Sequence, residues 1–182
     1  GMFSMAAGGK GANQAVAAAR AGGRVTLIAR VGADLFGKTA IDNFSADGID
    51  VGCVLKDAEA PSGTALIFVA EDGENSIGVA PGANGRLSKA DIEGFRDVIA
   101  SADILVMQLE TPMESVQAAA EIAALEGVRI ILNPAPAAQV PAELLKLFLG
   151  HRQLDTTLRN YVVYSEAGQR RALEEFHPLA EG

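Results

Sequence analysis

Asp103-Ile104-Leu105-Val106-Met107-Gln108, then Leu109-Glu110-Thr111-Pro112-Met113-Glu114, then Val128-Arg129-Ile130-Ile131-Leu132: these three runs decide the fold class of the chain. The first is a continuous apolar stretch of the kind found in parallel strands covered on both faces. In the second, Thr111 is placed to cap a helix, Pro112 to occupy its first turn and Glu114 to complete a capping box. That helix is expected to end at Gly127, and residues 128–132 form the next strand. A strand, a helix and a second strand in this order imply a mostly parallel α/β sheet with right-handed crossovers.

The same alternation extends upstream. A glycine-rich loop at residues 8–11 leads into a small-residue helix over about residues 12–21, stopped by Gly22-Gly23. Residues 24–31 alternate, with Val25, Leu27, Ala29 and Val31 on one face of an expected strand. A helix over about residues 35–46 follows, started by Asp34 acting as its cap, and then a short strand at about residues 51–55. Residues 64–69 and 76–79 are β-prone and flank the turn Glu71-Asp72-Gly73-Glu74, so they form a hairpin that interrupts the alternation. With apolar residues on one face, it suits either a cover over a site or an ordinary edge hairpin. Ser88 with Asp91 starts another helix, and one more is expected to open near Pro141. From about residue 150 the pattern changes. His151, Arg152, Arg159, Arg170, Arg171 and His177 fall in a stretch whose only β-prone run is residues 161–164, so a divergent tail is expected over 151–182.

The chain has 182 residues, 49% of them hydrophobic and 21% charged, which suits a packed core. Its net charge of -8 argues against nucleic acid, whose binding rests on clustered Lys and Arg. The lone Cys53 forms no internal disulfide, and with only His151 and His177 beside it there is no metal-ligand spacing. A reducing cytoplasm fits, and neither a signal segment nor an apolar run of membrane-spanning length is expected.

Gly8-Gly9-Lys10-Gly11-Ala12-Asn13 looks like a phosphate cradle, but the established motifs fail: Lys10 is followed by Gly11 where a Walker A sequence needs Ser or Thr. A dinucleotide fingerprint beginning at Gly9 meets Gln14 where its last glycine belongs. Close backbone approach at the glycines, the Lys10 donors and the two-way amide of Asn13 suit a polyhydroxylated ligand; a tight helix-entry turn with a solvated lysine fits the same residues. Glu110 follows a strand at its carboxyl end, where open α/β sheets place ligands, and is read either as a sugar-hydroxyl acceptor or as an exposed loop carboxylate. Asn133, in Asn133-Pro134-Ala135-Pro136, is expected to brace a rigid turn. The two histidines have no nucleophile and acid around them that would make a hydrolase triad.

Gly8-Gly9-Lys10-Gly11-Ala12-Asn13-Gln14-Ala15-Val16 resembles the sugar-binding signature of the ribokinases, within the phosphofructokinase-B family of carbohydrate kinases. Val31-Gly32-Ala33-Asp34-Leu35-Phe36-Gly37, Ser62-Gly63-Thr64-Ala65, Gly73-Glu74-Asn75-Ser76-Ile77, Gly82-Ala83-Asn84, Gln108-Leu109-Glu110-Thr111-Pro112 and Leu132-Asn133-Pro134-Ala135-Pro136 follow in that family's order. The series covers residues 8–145. The resemblance implies a three-layer α/β sandwich over residues 1–150 with an inserted β lid at about 60–82. It implies ATP-dependent phosphorylation of D-ribose, with Mg2+ and K+. Gly9, Lys10, Gly11, Ala12 and Asn13 would hold the sugar, Glu110 would meet it from the opposite side, and Ala65, Ile67 and Ile77 of the lid would offer apolar contact. Pairing of lids between subunits would make a homodimer. The family's C-terminal Gly-Ala-Gly-Asp base motif, its Asn-x-x-Glu motif, its nucleotide and potassium loops and its leading strand with Asn-x-Asp have no counterpart here, so no catalytic residue or metal ligand is assigned. A truncated chain, inactive alone or serving as a non-catalytic sugar-binding or dimerising partner of a full-length kinase, is the expectation.

Overall fold

A computed structural model describes residues 4–135 and 141. The chain divides into two compact units, Gly1–Pro136 and Ala137–Gly182, and every element below belongs to the first. The helix expected at Pro141 and the tail over 151–182 lie outside the described residues.

Helix α1 (Lys10–Arg20) leads through Gly22-Gly23 to β1 (Ala29–Gly32), α2 (Leu35–Ala46) and β2 (Val54–Asp57). The strands β1 and β2 pair in parallel, Ala29 opposite Val54 and Gly32 opposite Asp57, with α2 as the crossover. After the hairpin β3 (Thr64–Val69) and β4 (Asn75–Ala80) comes a short 3-10 turn, Gly82–Arg86. Helices α3 (Lys89–Gly94) and α4 (Arg96–Ala100) then lead to β5 (Ile104–Met107), α5 (Met113–Leu125) and β6 (Arg129–Leu132). Here too the strands run parallel, Ile104 opposite Arg129 and Met107 opposite Leu132.

Local chemistry explains most of the boundaries. Asp34 caps α2 by accepting from the Gly37 N–H at 2.8 Å, as its position suggests. Ser88 and Asp91 form a complete capping box at α3. Four expectations need correction. The strand expected at 24–31 is a ladder only from Ala29, preceded by a single bridge between Thr26 and Asp50. The strand expected at 51–55 begins at Val54, because Asp50 accepts from the Gly52 N–H at 2.9 Å and turns the chain at Val51-Gly52-Cys53. Helix α5 starts at Met113 with Pro112 in the cap position and no side-chain cap, so the Thr111–Glu114 box does not form. Finally, β5 is not covered on both faces: Ile104 is 40% and Val106 45% exposed, while Met107 is buried.

Helix α5 centres the packing. Its alanines Ala118, Ala119, Ala120 and Ala123 let neighbouring elements approach closely, and Val116 and Ile122 join Ile92 of α3 and Ile99 of α4 in the core. The hydroxyl of Ser115 would be costly to bury alone and donates to the carbonyl of Leu87 at 2.5 Å.

An ion-pair network fastens β1 and β2 to the segment that follows the hairpin. Arg30 donates to Asp57 at 3.1 Å and to Asp91 at 2.9 Å, and Arg86 reaches Asp57 at 3.3 Å and Glu59 at 2.8 Å. Asp57 is almost wholly buried. The backbone N–H groups of Glu59 and Ala60 hold its carboxyl below the ordinary carboxylate range, with Arg86 and Arg30 adding to the effect. Bonds from the Ser62 hydroxyl, then from the Ser62 and Gly37 N–H groups, do the same for Asp34.

A carboxylate whose folded-state pKa is depressed stabilises the fold above its unfolded value, near ~3.9, and the stabilisation is lost as pH falls through the folded pKa. The thermal midpoint, followed by circular dichroism, is therefore expected to be flat from about pH 7 to 5 and to fall below about pH 4. In Asp57→Asn the midpoint is lower at neutral pH and the acid slope shallower; an unchanged slope would contradict the role given to Asp57.

Candidate functional site

The site begins at the entrance of α1. That helix has no side-chain cap of its own and no acidic residue in its first turn, so its leading N–H groups need acceptors from elsewhere. Gly9 stands before it with φ 98°, a left-handed conformation that glycine adopts without the steric cost of a Cβ. Its carbonyl accepts from the Asn13 N–H at 2.9 Å. The Lys10 N–H is satisfied by Glu110 Oε2 at 2.7 Å, from the loop that follows β5. The Lys10 ammonium lies 3.3 Å from Glu110 Oε1, so one carboxylate caps the helix and pairs with the cation. Both side chains remain about one-third exposed, open to a ligand that exchanges its hydroxyls for water.

Two amides hold Glu110 in turn. Gln108 Oε1 accepts from the Glu110 N–H, and Asn84 Nδ2 donates to the Glu110 carbonyl at 2.6 Å. The amide of Gln108 also lies against Gly11, where a Cβ would come within 3.3 Å of its Nε2. Asn133 is a brace, as expected: its Oδ1 accepts from the Ala135 N–H at 3.2 Å, and its own N–H bonds to the carbonyl of Met107 at 2.8 Å.

The hairpin stands beside this cluster through its root. Asp34 accepts from the Ser62 N–H and hydroxyl, each at 2.7 Å, and Ser62 Oγ accepts from the Gly32 N–H at 3.0 Å. Across the root, the carbonyl of Pro61 accepts from the Ala83 N–H at 2.8 Å. Gly82 has φ 52° there, and a Cβ on it would collide with the Pro61 carbonyl. In the blades Ile67 is opposite Ile77 and Ala65 opposite Val79, so the three expected lid residues share one face. The other face carries Leu66 and Phe68, which corrects the reading of a single apolar face; Leu66, Ile67, Phe68, Val69, Ile77 and Val79 are all more than half exposed.

The structure therefore brings Gly9, Lys10 and Glu110 together, with Gly11 against Gln108 beside them, and leaves Asn13 exposed one turn along α1. Sequence reasoning assigned no role to Gln108, Asn84 or Ser62. Each sits inside a motif already singled out; the partners of Asn84 and Ser62 are 26 and 28 residues away, and Gln108 bonds Glu110 two residues on. Among the described residues no group of three His, Cys, Asp or Glu side chains is placed to hold a metal ion. No helix among them is long and apolar enough to cross a membrane.

A strand-end carboxylate facing a Gly-Gly-Lys helix entrance, with a hairpin rooted beside it, defines a class: residues 1–150 match the pfkB family of carbohydrate kinases, and the chain belongs to it. Within that family its relatives include ribokinases and deoxyribokinases. It is 47% identical over 145 residues to the ribokinase of Haemophilus influenzae, covering 80% of this chain and 47% of that protein. With the ribokinase of Staphylococcus aureus the identity is 43% over 140 residues, covering 77% and 46%. The structure of Arabidopsis thaliana ribokinase complexed with ribose and ATP superposes with a TM-score of 0.68 at 26% identity, covering 84% of this chain and 56% of that one. The chain spans about half the length of the relatives it matches, and its fold is that of the ribokinases.

Gly82→Ala is expected to destabilise the protein by about 1–3 kcal/mol in urea unfolding, because the hairpin root must move to admit the methyl group. A loss below about 0.5 kcal/mol would mean that the root relaxes without cost.

Proposed function

We propose that this chain is the sugar-binding and lid portion of a ribokinase-type enzyme whose reaction is ATP-dependent phosphorylation of D-ribose at its 5-hydroxyl. The observation that carries the reading is the pairing of Lys10 with Glu110 at the glycine-rich entrance of α1. A carboxylate accepts two neighbouring hydroxyls and an ammonium donates to a third, so the pair matches a polyol far better than an anion, which Glu110 would repel. In this reading Gly9, Gly11 and Ala12 admit the sugar close to the backbone, Lys10 and Asn13 bond its hydroxyls, and Glu110 receives hydroxyls from the opposite side. Ala65, Ile67 and Ile77 close over its apolar face and exclude water from the 5-hydroxyl. ATP supplies the phosphoryl group, with Mg2+ and K+ as companions by family likeness, and the cytoplasm is where such a kinase would work. None of the described residues is given the role of base.

A second reading is favoured by the exposed hairpin: a non-catalytic sugar-binding or dimerising partner of a full-length kinase. Blades apolar on both faces are poorly suited to water, and a second hairpin laid across them would cover the surface opposite the sugar. We include homodimerisation through the lid in either reading.

Ribose binding to the 182-residue chain, followed by titration calorimetry, is expected to weaken about ten- to a hundredfold in Lys10→Ala and Glu110→Ala, the worth of a charged hydrogen bond. Equal affinity in parent and variants would reject the site. Ribose-dependent ADP formation with ATP, Mg2+ and K+ tests the expectation that this portion is inactive alone: binding without turnover fits both readings, and turnover would reject the non-catalytic one. For the lid, Leu66→Asp is expected to convert a dimer to a monomer in sedimentation velocity, since an unpaired buried carboxylate is costly. A parent that is already monomeric would refute lid pairing.

A further inference from the structure

The unusual feature of Glu110 is how its backbone is held. A residue just past a parallel strand would ordinarily share its N–H and carbonyl with the next strand or with water. In Glu110 both groups are taken by side-chain amides: Gln108 accepts from the N–H, and Asn84 donates to the carbonyl at 2.6 Å. Gln108 is two residues away on the same loop and turns with it. Asn84 is 26 residues away, on the turn Gly82–Arg86 that leaves the hairpin, and that turn is fastened independently. Ala83 is fully buried and its N–H bonds to Pro61, while Arg86 is paired with Asp57 and Glu59. Asn84 is thus a donor on a fixed mount, and the peptide it grips carries the carboxylate that meets Lys10.

We propose that Asn84 is the positioning residue of the site: by holding the Glu110 carbonyl it sets the direction of the Glu110 side chain toward the Lys10 N–H and ammonium, and it ties that direction to the root of the lid. The inference rests on the sugar-site reading for its functional meaning, whereas its structural content is independent of any ligand. Rotation of the Glu110–Thr111 peptide would swing the carboxylate away from α1, and the Asn84 bond opposes that rotation from outside the loop, as the bond from the Leu109 N–H to the Ala135 carbonyl holds the residue before it. A carboxylate at the same place without this grip would no longer present its two oxygens together to Lys10. A displacement of the hairpin root would reach the site by the same bond.

The test compares the parent with Asn84→Ala and Asn84→Asp; the second keeps the size of the side chain, removes the donor and survives if the first folds poorly. Hydrogen exchange by NMR reads the Lys10 N–H, whose acceptor is the Glu110 carboxylate, against the N–H of Ile122 in the core of α5. The Lys10 N–H is expected to exchange about tenfold faster in both variants while Ile122 is unchanged, the pattern of a local loss. Acceleration of both amides together, the pattern of a purely structural role, would overturn the proposal, as would an unaltered Lys10. Ribose calorimetry on the same samples is expected to show affinity about tenfold weaker. If the parent fails to bind ribose, the sugar reading falls and the exchange result still decides the role of Asn84. If ribose binds all three equally, positioning by Asn84 is rejected and the sugar site stands.

Discussion

The bond from the Lys10 N–H to the Glu110 carboxylate joins the first helix to the end of a strand one hundred residues later. Helix α1 starts without a cap, and a bare helix entrance leaves donors that must find acceptors. Glu110 supplies one from outside the helix and brings a negative charge to the positive end of the helix dipole. Much else in the first unit serves this meeting: α5 fixes β5 against the core, Gln108 and Asn84 hold the loop that follows β5, and Gly9 allows the chain to enter α1 at the angle the meeting requires. The same carboxylate thereby has a structural duty at the entrance of α1 while about one-third of its side chain stays exposed.

The hairpin is built on a contrasting principle. Its blades are exposed along their length and pair with each other, while its root is tightly bonded. Asp34 is the centre of the root: it caps α2 and holds Ser62 by two bonds, so one carboxylate locks the helix entrance and the first blade's entry together. Gly82 permits the second blade's exit to cross Pro61 at contact distance. Stiff anchorage with exposed blades is compatible with the lid role proposed for the hairpin. The Arg30 and Arg86 network continues the anchorage into β2 and α3.

Where the sequence was misleading, the cause was a competing local bond or a missing neighbour. Asp50 turned the chain through its own side chain and delayed β2 until Val54. Pro112 took the cap position that Thr111 was expected to fill. The apolar run of β5 suggested cover on both sides, yet apolar composition cannot say which side has a neighbour; only Met107 is buried within the strand, and Ile104 and Val106 face outward. Likewise the β-prone runs of β3 and β4 and the turn between them showed a hairpin but not that both its faces are open.

By itself the sequence determined the alternation of strands and helices, the hairpin and its turn, the Asp34 and Ser88 caps, the Asn133 brace and the glycine-rich loop with Lys10 and Asn13 as candidate ligands. These depend on periodicity, on backbone conformation and on hydrogen bonds spanning two or three residues, all of which are written in neighbouring positions. Only the tertiary structure decided that Glu110 belongs to the entrance of α1, that Asn84 and Gln108 hold it, and that Arg30 joins Asp57 to Asp91. Apart from the Gln108 bond, these contacts span at least 26 residues, and they form because the parallel strand pairs and their crossovers carry the loops to common ground. Side-chain identity states what a group can bond, and the path of the backbone through the sheet decides which partner is within reach.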